Sequence, residues 1–168
     1  MCRLCGRCLE RLSHLSRCWL IRRTFRFFRD LAQPIIGKTD IDDRLIYLGV
    51  RGDSVLPGSL SDLHIILWKF ILIAFTKAET VNARYSPRQV WRQAVCRFEV
   101  RVKAHGERQR HLAIRRESRG KDRWLSSSQR ERLESQVGPL ASVSEAGTIE
   151  WVPHMRVAID AARASGRL

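Results

Sequence analysis

Apolar positions in this chain fall in blocks separated by turn residues. Between residues 9 and 32, Leu9, Leu12, Leu15, Trp19, Phe27 and Leu31 stand at helical spacing with arginines between them, and Pro34 stops the run. Gly37 to Asp43 reads as a turn, Arg44 to Val50 as a short strand, and residues 51–61, with three Gly/Pro residues, as a loop. The most apolar stretch is 62–76. Its run from Leu63 to Phe75 is 13 residues and contains His64 and Lys69. A membrane span needs about 20 apolar residues. The length therefore predicts a buried helix, capped by Ser59 or Ser61, with the Lys69 stem packed at its edge and the ammonium in water.

Ser86-Pro87 opens the next element, with Ser as cap and Pro at the first helical position. Val90, Trp91, Ala94, Val95, Phe98 and Val102 then form one stripe, with Arg88, Arg92, Glu99 and Lys103 on the far side. Cys96 to Ala104 also alternates apolar and polar as a strand would, and Val100 fits only that pattern. The cap and the longer stripe favour helix. His105-Gly106 reads as a break, followed by a second basic helix over Glu107–Ser118 with a thin apolar face at Leu112, Ala113 and Ile114. Ser126 to Gln129 begins a short polar helix that ends before Gly138-Pro139. Leu140 to Val152 reads as a β-hairpin turning at Glu145–Gly147, and Pro153 to Ala164 as a closing helix with Val157, Ala158 and Ala161 inward.

The expected fold is therefore mainly α with a small β component (α+β): a central buried helix, a basic helical pair, a C-terminal β-hairpin and a closing helix. Residues 1–33 are expected to form an Arg/Cys-rich arm with helical spacing over 9–32 on a single small globular domain, 34–168. Residues from about 60 to 160 are expected to fold without that arm.

Charge changes the picture from fold to partner. The chain carries 31 Lys plus Arg against 17 Asp plus Glu, a formal net charge of +14. Residues 1–29 hold eight arginines and one acid, and residues 81–135 hold fifteen bases and six acids. The middle, 30–80, has five bases and seven acids, and 136–168 has three of each. Two basic blocks thus flank a near-neutral apolar centre. Such a field attracts polyanions, and an arginine bias suits bidentate phosphate contacts. The residues expected to bind nucleic acid are Arg88, Arg92, Lys103, Arg108, Arg110, Arg115, Arg116, Arg119, Lys121 and Arg123. The bland alternatives are a solvated helix face and the arginine excess of a GC-rich coding sequence. Few aromatics, chiefly Trp91, Phe98 and Trp124, interleave with these bases, so stacking on single-stranded bases is not an obvious part of the mode.

The function expected from these features is a non-catalytic nucleic-acid-binding accessory or regulatory protein of the cytoplasm. The rival is a peripheral protein that lays the Arg-rich helix 9–32 on an anionic membrane. A third expectation is that translation starts downstream of Met1, because an N-terminus dense in Cys, Arg, Leu and Trp is also what a GC-rich frame yields by chance.

Other chemistry is thinner. Of five cysteines, Cys2, Cys5, Cys8 and Cys18 crowd the start and Cys96 stands alone. This odd number, without a secretory signal, suits a reducing compartment better than a disulfide framework. Cys5, Cys8, His14 and Cys18 give C-x2-C-x5-H-x3-C, near a zinc-knuckle pattern but off in both inner spacings. Cys2, Cys5 and Cys8 open like an iron–sulfur run that lacks its fourth Cys and Pro. The expectation is therefore no metal and no cofactor. Asp40, Asp42 and Asp43 read as turn and cap residues rather than a Mg²⁺ site. No nucleophile has a legible base beside it, so no catalytic residue is expected.

Overall fold

The computed structural model describes residues 2–6, 12–15, 17–37, 42–51, 54–80, 84–117, 125–144 and 148–164. The fold is mainly α with a small antiparallel β component, as expected. Helices run α1 (Leu12–Leu15), α2 (Trp19–Ile36), α3 (Asp43–Leu48), α4 (Gly58–Thr80), α5 (Pro87–Glu117), α6 (Ser127–Val137) and α7 (Pro153–Ala164). Strands β1 (Val50–Arg51) and β2 (Ser54–Val55) form one two-stranded ladder, and β3 (Ala141–Val143) and β4 (Ile149–Trp151) form another. The second ladder is the anticipated C-terminal hairpin, with Ala141 opposite Trp151 and Val143 opposite Ile149. Its Glu145–Gly147 turn lies outside the described residues.

Helix α5 is the hub. It packs on α2, α4, α6 and α7, and its buried stripe is the expected one: Val90, Trp91, Ala94, Val95, Phe98 and Val102. The break expected at His105-Gly106 does not occur, so the basic helical pair is one helix of 31 residues. One glycine costs a helix about 1 kcal/mol, and here the packing of α5 on several helices outweighs that cost. Val100, the residue that suggested a strand, is 55% exposed.

Helix α4 lays Leu60, Leu63, Leu67 and Ile71 inward, while Lys69 faces water as expected. The structure extends the helix to 23 residues, from Gly58 rather than residue 62. Among the described residues, Gly58–Ala78 is the segment long and apolar enough to cross a membrane by length and composition. Ser59 does not cap this helix by its side chain. Its N–H donates to Gly138 O at 3.0 Å, and its buried hydroxyl accepts the Leu140 N–H at 3.3 Å. Gly58 is what allows this approach: its φ is +34°, and a Cβ there would lie 2.5 Å from Gly138 O.

Of the expected strand Arg44–Val50, residues 44–48 lie in helix α3 and Val50 alone begins a strand, β1. Asp42 supplies the reason, because its carboxylate accepts the Leu45 N–H at 2.7 Å and caps the helix. Gly49, at φ +76°, closes it. Pro34 does not stop α2. The helix runs to Ile36 and ends at Gly37; Pro34 stands in its last turn, where it takes one N–H out of the ladder and only two helical residues follow. In α7 the inward positions are Met155 and Ile159, while Val157 is 68% exposed. Of the expected face, Ala158 is partly buried against the core while Val157 and Ala161 are exposed, so the closing helix is rotated from that reading. The expected start of α6 holds, with Ser126 and Gln129 forming a reciprocal capping box.

The arginine-rich segment expected as an arm contributes heavily to the interior. Ile21, Phe25 and Phe28 of α2 are fully buried. Phe25 stands 5.2 Å from the Tyr47 ring and 5.1 Å from the Trp68 ring, and Phe27 stacks on Trp91 at 6.2 Å. Thr24, also buried, donates to Leu20 O at 3.0 Å and accepts from the Tyr85 hydroxyl at 2.6 Å.

His64 lies in the same aromatic pocket, 5.6 Å from both Phe25 and Phe28. Its Nε2–H donates to Ile46 O at 3.0 Å. Burial lowers its pKa below the ordinary 6.5, against the opposing pull of the Ile46 and Tyr47 backbone. A histidine held neutral in the fold stabilises it above the unfolded pKa. That stability is lost as pH falls from about 6.5 through the folded pKa. Unfolding free energies from urea titrations at pH 7.5 and 5.5 should therefore fall more steeply in the wild type than in His64→Gln. The excess slope is at most about 1.4 kcal/mol per pH unit, the value for one proton. Equal pH dependence in the two proteins would remove His64 as the cause.

Candidate nucleic-acid interface

Helical spacing divides the arginines of α2 from its apolar face. Leu20, Ile21, Thr24, Phe25, Phe28, Leu31 and Ala32 are buried, whereas Arg22, Arg23 and Arg26 are exposed and Arg29 is partly exposed. These four arginines, with Trp19, line a cleft of about 470 Å³ whose remaining walls are Phe25 and Tyr47. Arg22 and Arg29 share one carboxylate, Asp43, with the Arg22 contact at 3.3 Å. Arg23 and Arg26 have no carboxylate partner among the described residues. Trp19 is 44% exposed at the cleft, so an aromatic face stands beside four guanidinium groups.

The residues expected to bind nucleic acid are only partly brought together. At about 100° per residue on a helix, Arg88, Arg92, Lys103 and Arg110 fall along one flank of α5 and Arg108 along the other. Arg88, Lys103, Arg108 and Arg110 are exposed and Arg92 is half-buried. Two of them are engaged: Lys103 Nζ lies 2.7 Å from Glu99, and Arg110 donates to the Thr148 hydroxyl at 2.9 Å. Arg115 and Arg116 lie on the last turn of α5. Arg119, Lys121 and Arg123 lie outside the described residues.

Arg108 belongs to a second basic cavity of about 470 Å³, lined also by Arg97, Arg101, His105, Asp62 and Gln136. Arg101 reaches Asp62 at 3.6 Å, with both side chains well exposed. Burial lowers the His105 pKa below the ordinary 6.5, and the positive charges of Arg108 and Arg101 lower it further. An anion in this cavity opposes that repulsion. Arg97, Arg101, Trp19 and the individual α2 arginines are not among the site residues expected from the sequence, where the arginines of 1–29 stood only as a charged block. For the α2 set the signal was the i, i+4, i+7 spacing of Arg22, Arg26 and Arg29, which at about 100° per residue puts them on one face, about a quarter turn from the Phe25, Phe28 and Ala32 stripe.

The membrane-surface alternative needs the apolar side chains of α2 on the outside, but Leu20, Ile21, Phe25 and Phe28 are buried. Asp42 is a cap and Asp43 an ion-pair partner, while Asp40 lies outside the described residues.

Four residues with metal-binding atoms converge at the N-terminal end of α2. The sulfurs of Cys2, Cys5 and Cys18 and a ring nitrogen of His14 all lie within 4.8 Å of one another. Cys2 and Cys18 are buried, and Cys5 and His14 partly so. The Cys2–Cys5 turn is closed by the Gly6 N–H on Cys2 O at 2.8 Å, with Gly6 at φ +67°. His14 O accepts the N–H groups of both Arg17 and Cys18, which sets His14 beside Cys18. Burial pushes the Cys18 thiol up to about 11, while the Ile21 and Leu20 N–H groups aimed at its sulfur pull the other way. The quartet differs from the knuckle-like set read from spacing: Cys2 joins it, and Cys8 lies outside the described residues. Comparison with protein-family models, with curated proteins and with solved structures found no match.

Proposed function

We propose that the protein is a non-catalytic nucleic-acid-binding accessory or regulatory factor of the cytoplasm that engages phosphates through its arginine-rich surfaces. The observation that carries this reading is the α2 cleft, where Trp19 and Arg22, Arg23, Arg26 and Arg29 line one concavity. Guanidinium groups suit phosphate oxygens in geometry and charge, and an exposed indole offers a face on which a base can stack. A net charge of +14 adds long-range attraction.

The test is fluorescence anisotropy with labelled duplex and single-stranded DNA and RNA, using protein freed of bound nucleic acid. Affinity should fall steeply with salt, because neutralised phosphates release counterions. Arg23→Ala/Arg26→Ala removes two exposed groups with no carboxylate partner among the described residues, and should leave the circular dichroism spectrum unchanged. It should reduce the slope of log K against log salt by about 1.8, or ~0.9 per phosphate contact. No binding at about 50 mM salt, where such contacts are strong, removes the proposal. Binding to anionic liposomes but to no nucleic acid would transfer it to the membrane reading.

A further inference from the structure

We propose that Cys2, Cys5, His14 and Cys18 are the four ligands of a structural zinc ion that ties the start of the chain to the first turn of α2. Zinc takes four N or S ligands in a tetrahedron, and Cys3His is one of its ordinary structural sets. With Zn–S near 2.3 Å and Zn–N near 2.0–2.1 Å, tetrahedral angles place sulfurs about 3.8 Å apart and a sulfur and nitrogen about 3.6 Å apart. Here the four ligand atoms lie within 4.8 Å of one another, and Cys5 Sγ stands 3.3 Å from His14 Nε2. Shifts of an ångström or less would bring such a set onto one ion.

The surrounding chain explains why an ion is wanted. The turn at Cys2–Gly6 and the four-residue helix α1 are too short to hold themselves, since isolated helices under about 12 residues are marginal in water. Beyond the ligands themselves, the described part of this segment docks on the body through Leu4, buried, Leu15, partly buried, and Arg3, whose guanidinium lies 5.3 Å from the Phe75 ring centre. Yet the ligands come from three separate pieces of backbone and meet at one point. A structural zinc supplies that convergence in folds with little core, because its binding free energy becomes folding free energy. A Cys–His nucleophile pair would account for Cys5 and His14, but it has no need of two further thiols in the same small sphere. The mixed N/S set favours zinc over an iron–sulfur cluster, which takes four thiolates in its commonest forms.

The experiment is elemental analysis of the full chain, purified reduced and without a metal-binding tag, together with cobalt(II) titration of the apo protein. About one zinc per chain is expected, and the cobalt form should show the thiolate charge-transfer and ligand-field bands of a tetrahedral site. Zinc should be lost in Cys2→Ser and Cys18→Ser, retained in Cys8→Ser and Cys96→Ser, and retained in His14→Cys, which keeps four ligands. Well under one zinc, with no tetrahedral cobalt spectrum from the wild type, overturns the site whether or not any variant folds. Zinc kept in Cys2→Ser but lost in Cys8→Ser overturns the ligand assignment.

Discussion

Replacing Phe25 by alanine is expected to lower the free energy of unfolding by about 3–5 kcal/mol, the usual cost of emptying a fully buried aromatic site. Phe25 has no exposed surface. Its ring meets those of Phe28, Tyr47, His64 and Trp68, so it joins α2 to both α3 and α4. Phe25→Leu, which refills most of the volume, should cost much less. Urea unfolding followed by circular dichroism measures both, and a loss within about 0.5 kcal/mol, the range of ordinary surface changes, would mean that α2 is not part of the cooperative unit. The result bears on the expectation that residues 34–168 stand alone. A chain starting at residue 34 leaves the faces of Tyr47, Trp68 and Trp91 that now meet Phe25 and Phe27 open to water. The expectation of an arm rested on the mutual repulsion of eight arginines. In the structure four of them lie on or beside the outward face of α2, where salt screens them over about 10 Å at 0.1 M, and Asp43 offsets two.

What the sequence made legible was what local chemistry decides. The stripe Val90–Val102, the Ser126 cap, the C-terminal hairpin and the Pro153 helix start all rest on patterns within a few residues of one another. The failures came where a local signal met a tertiary one. Gly106 looked like a break but sits inside a long packed helix. Arg44–Val50 looked like a strand because Leu45, Ile46 and Tyr47 are consecutive and apolar. All three are buried, and the Asp42 cap with the Gly49 stop makes the segment a helix. In α2, reading Leu9 to Leu31 as one run obscured the change of face after Cys18, where the helix restarts.

The candidate site was legible as composition and not as geometry. Counting arginines located the two basic blocks, but could not say that α5 sends its bases to two flanks or that α2 concentrates four around an exposed tryptophan. The cysteine quartet was hidden for a related reason. A motif read by spacing favours the nearest ligands, here Cys5 and Cys8. The structure instead joins Cys2 and Cys5 to His14 across eight intervening residues, a separation set by where α1 places the imidazole.

Glu99 makes the sharpest case, and it yields the second large effect. It was placed on the solvent side of α5 with Lys103, yet its side chain is only 7% exposed. Its carboxylate meets Lys103 Nζ at 2.7 Å and the Arg163 guanidinium from the last turn of α7, so α5 and α7 are joined through one buried charge. The three residues are not equivalent. Removing the carboxylate leaves two cations that are already about half exposed and can turn to water. Removing both cations leaves a buried carboxylate without compensation, which costs about 3–5 kcal/mol in dry surroundings. Lys103→Ala/Arg163→Ala should therefore lose about 3 kcal/mol in urea unfolding, toward the low end because exposed partners are screened. Adding Glu99→Leu to that pair should recover most of the loss. Glu99→Leu alone should cost less than the double variant, since exposed cations are cheap to leave unpaired. A double variant within about 0.5 kcal/mol of wild type, the range of ordinary surface changes, would show that water reaches Glu99 and that the junction is not electrostatic. The same asymmetry governs how Lys103 is to be read as a phosphate contact: weaker nucleic-acid binding by Lys103→Ala counts as a lost contact only if Glu99→Leu/Lys103→Ala, in which the buried carboxylate is gone and cannot disturb the fold, remains equally weak.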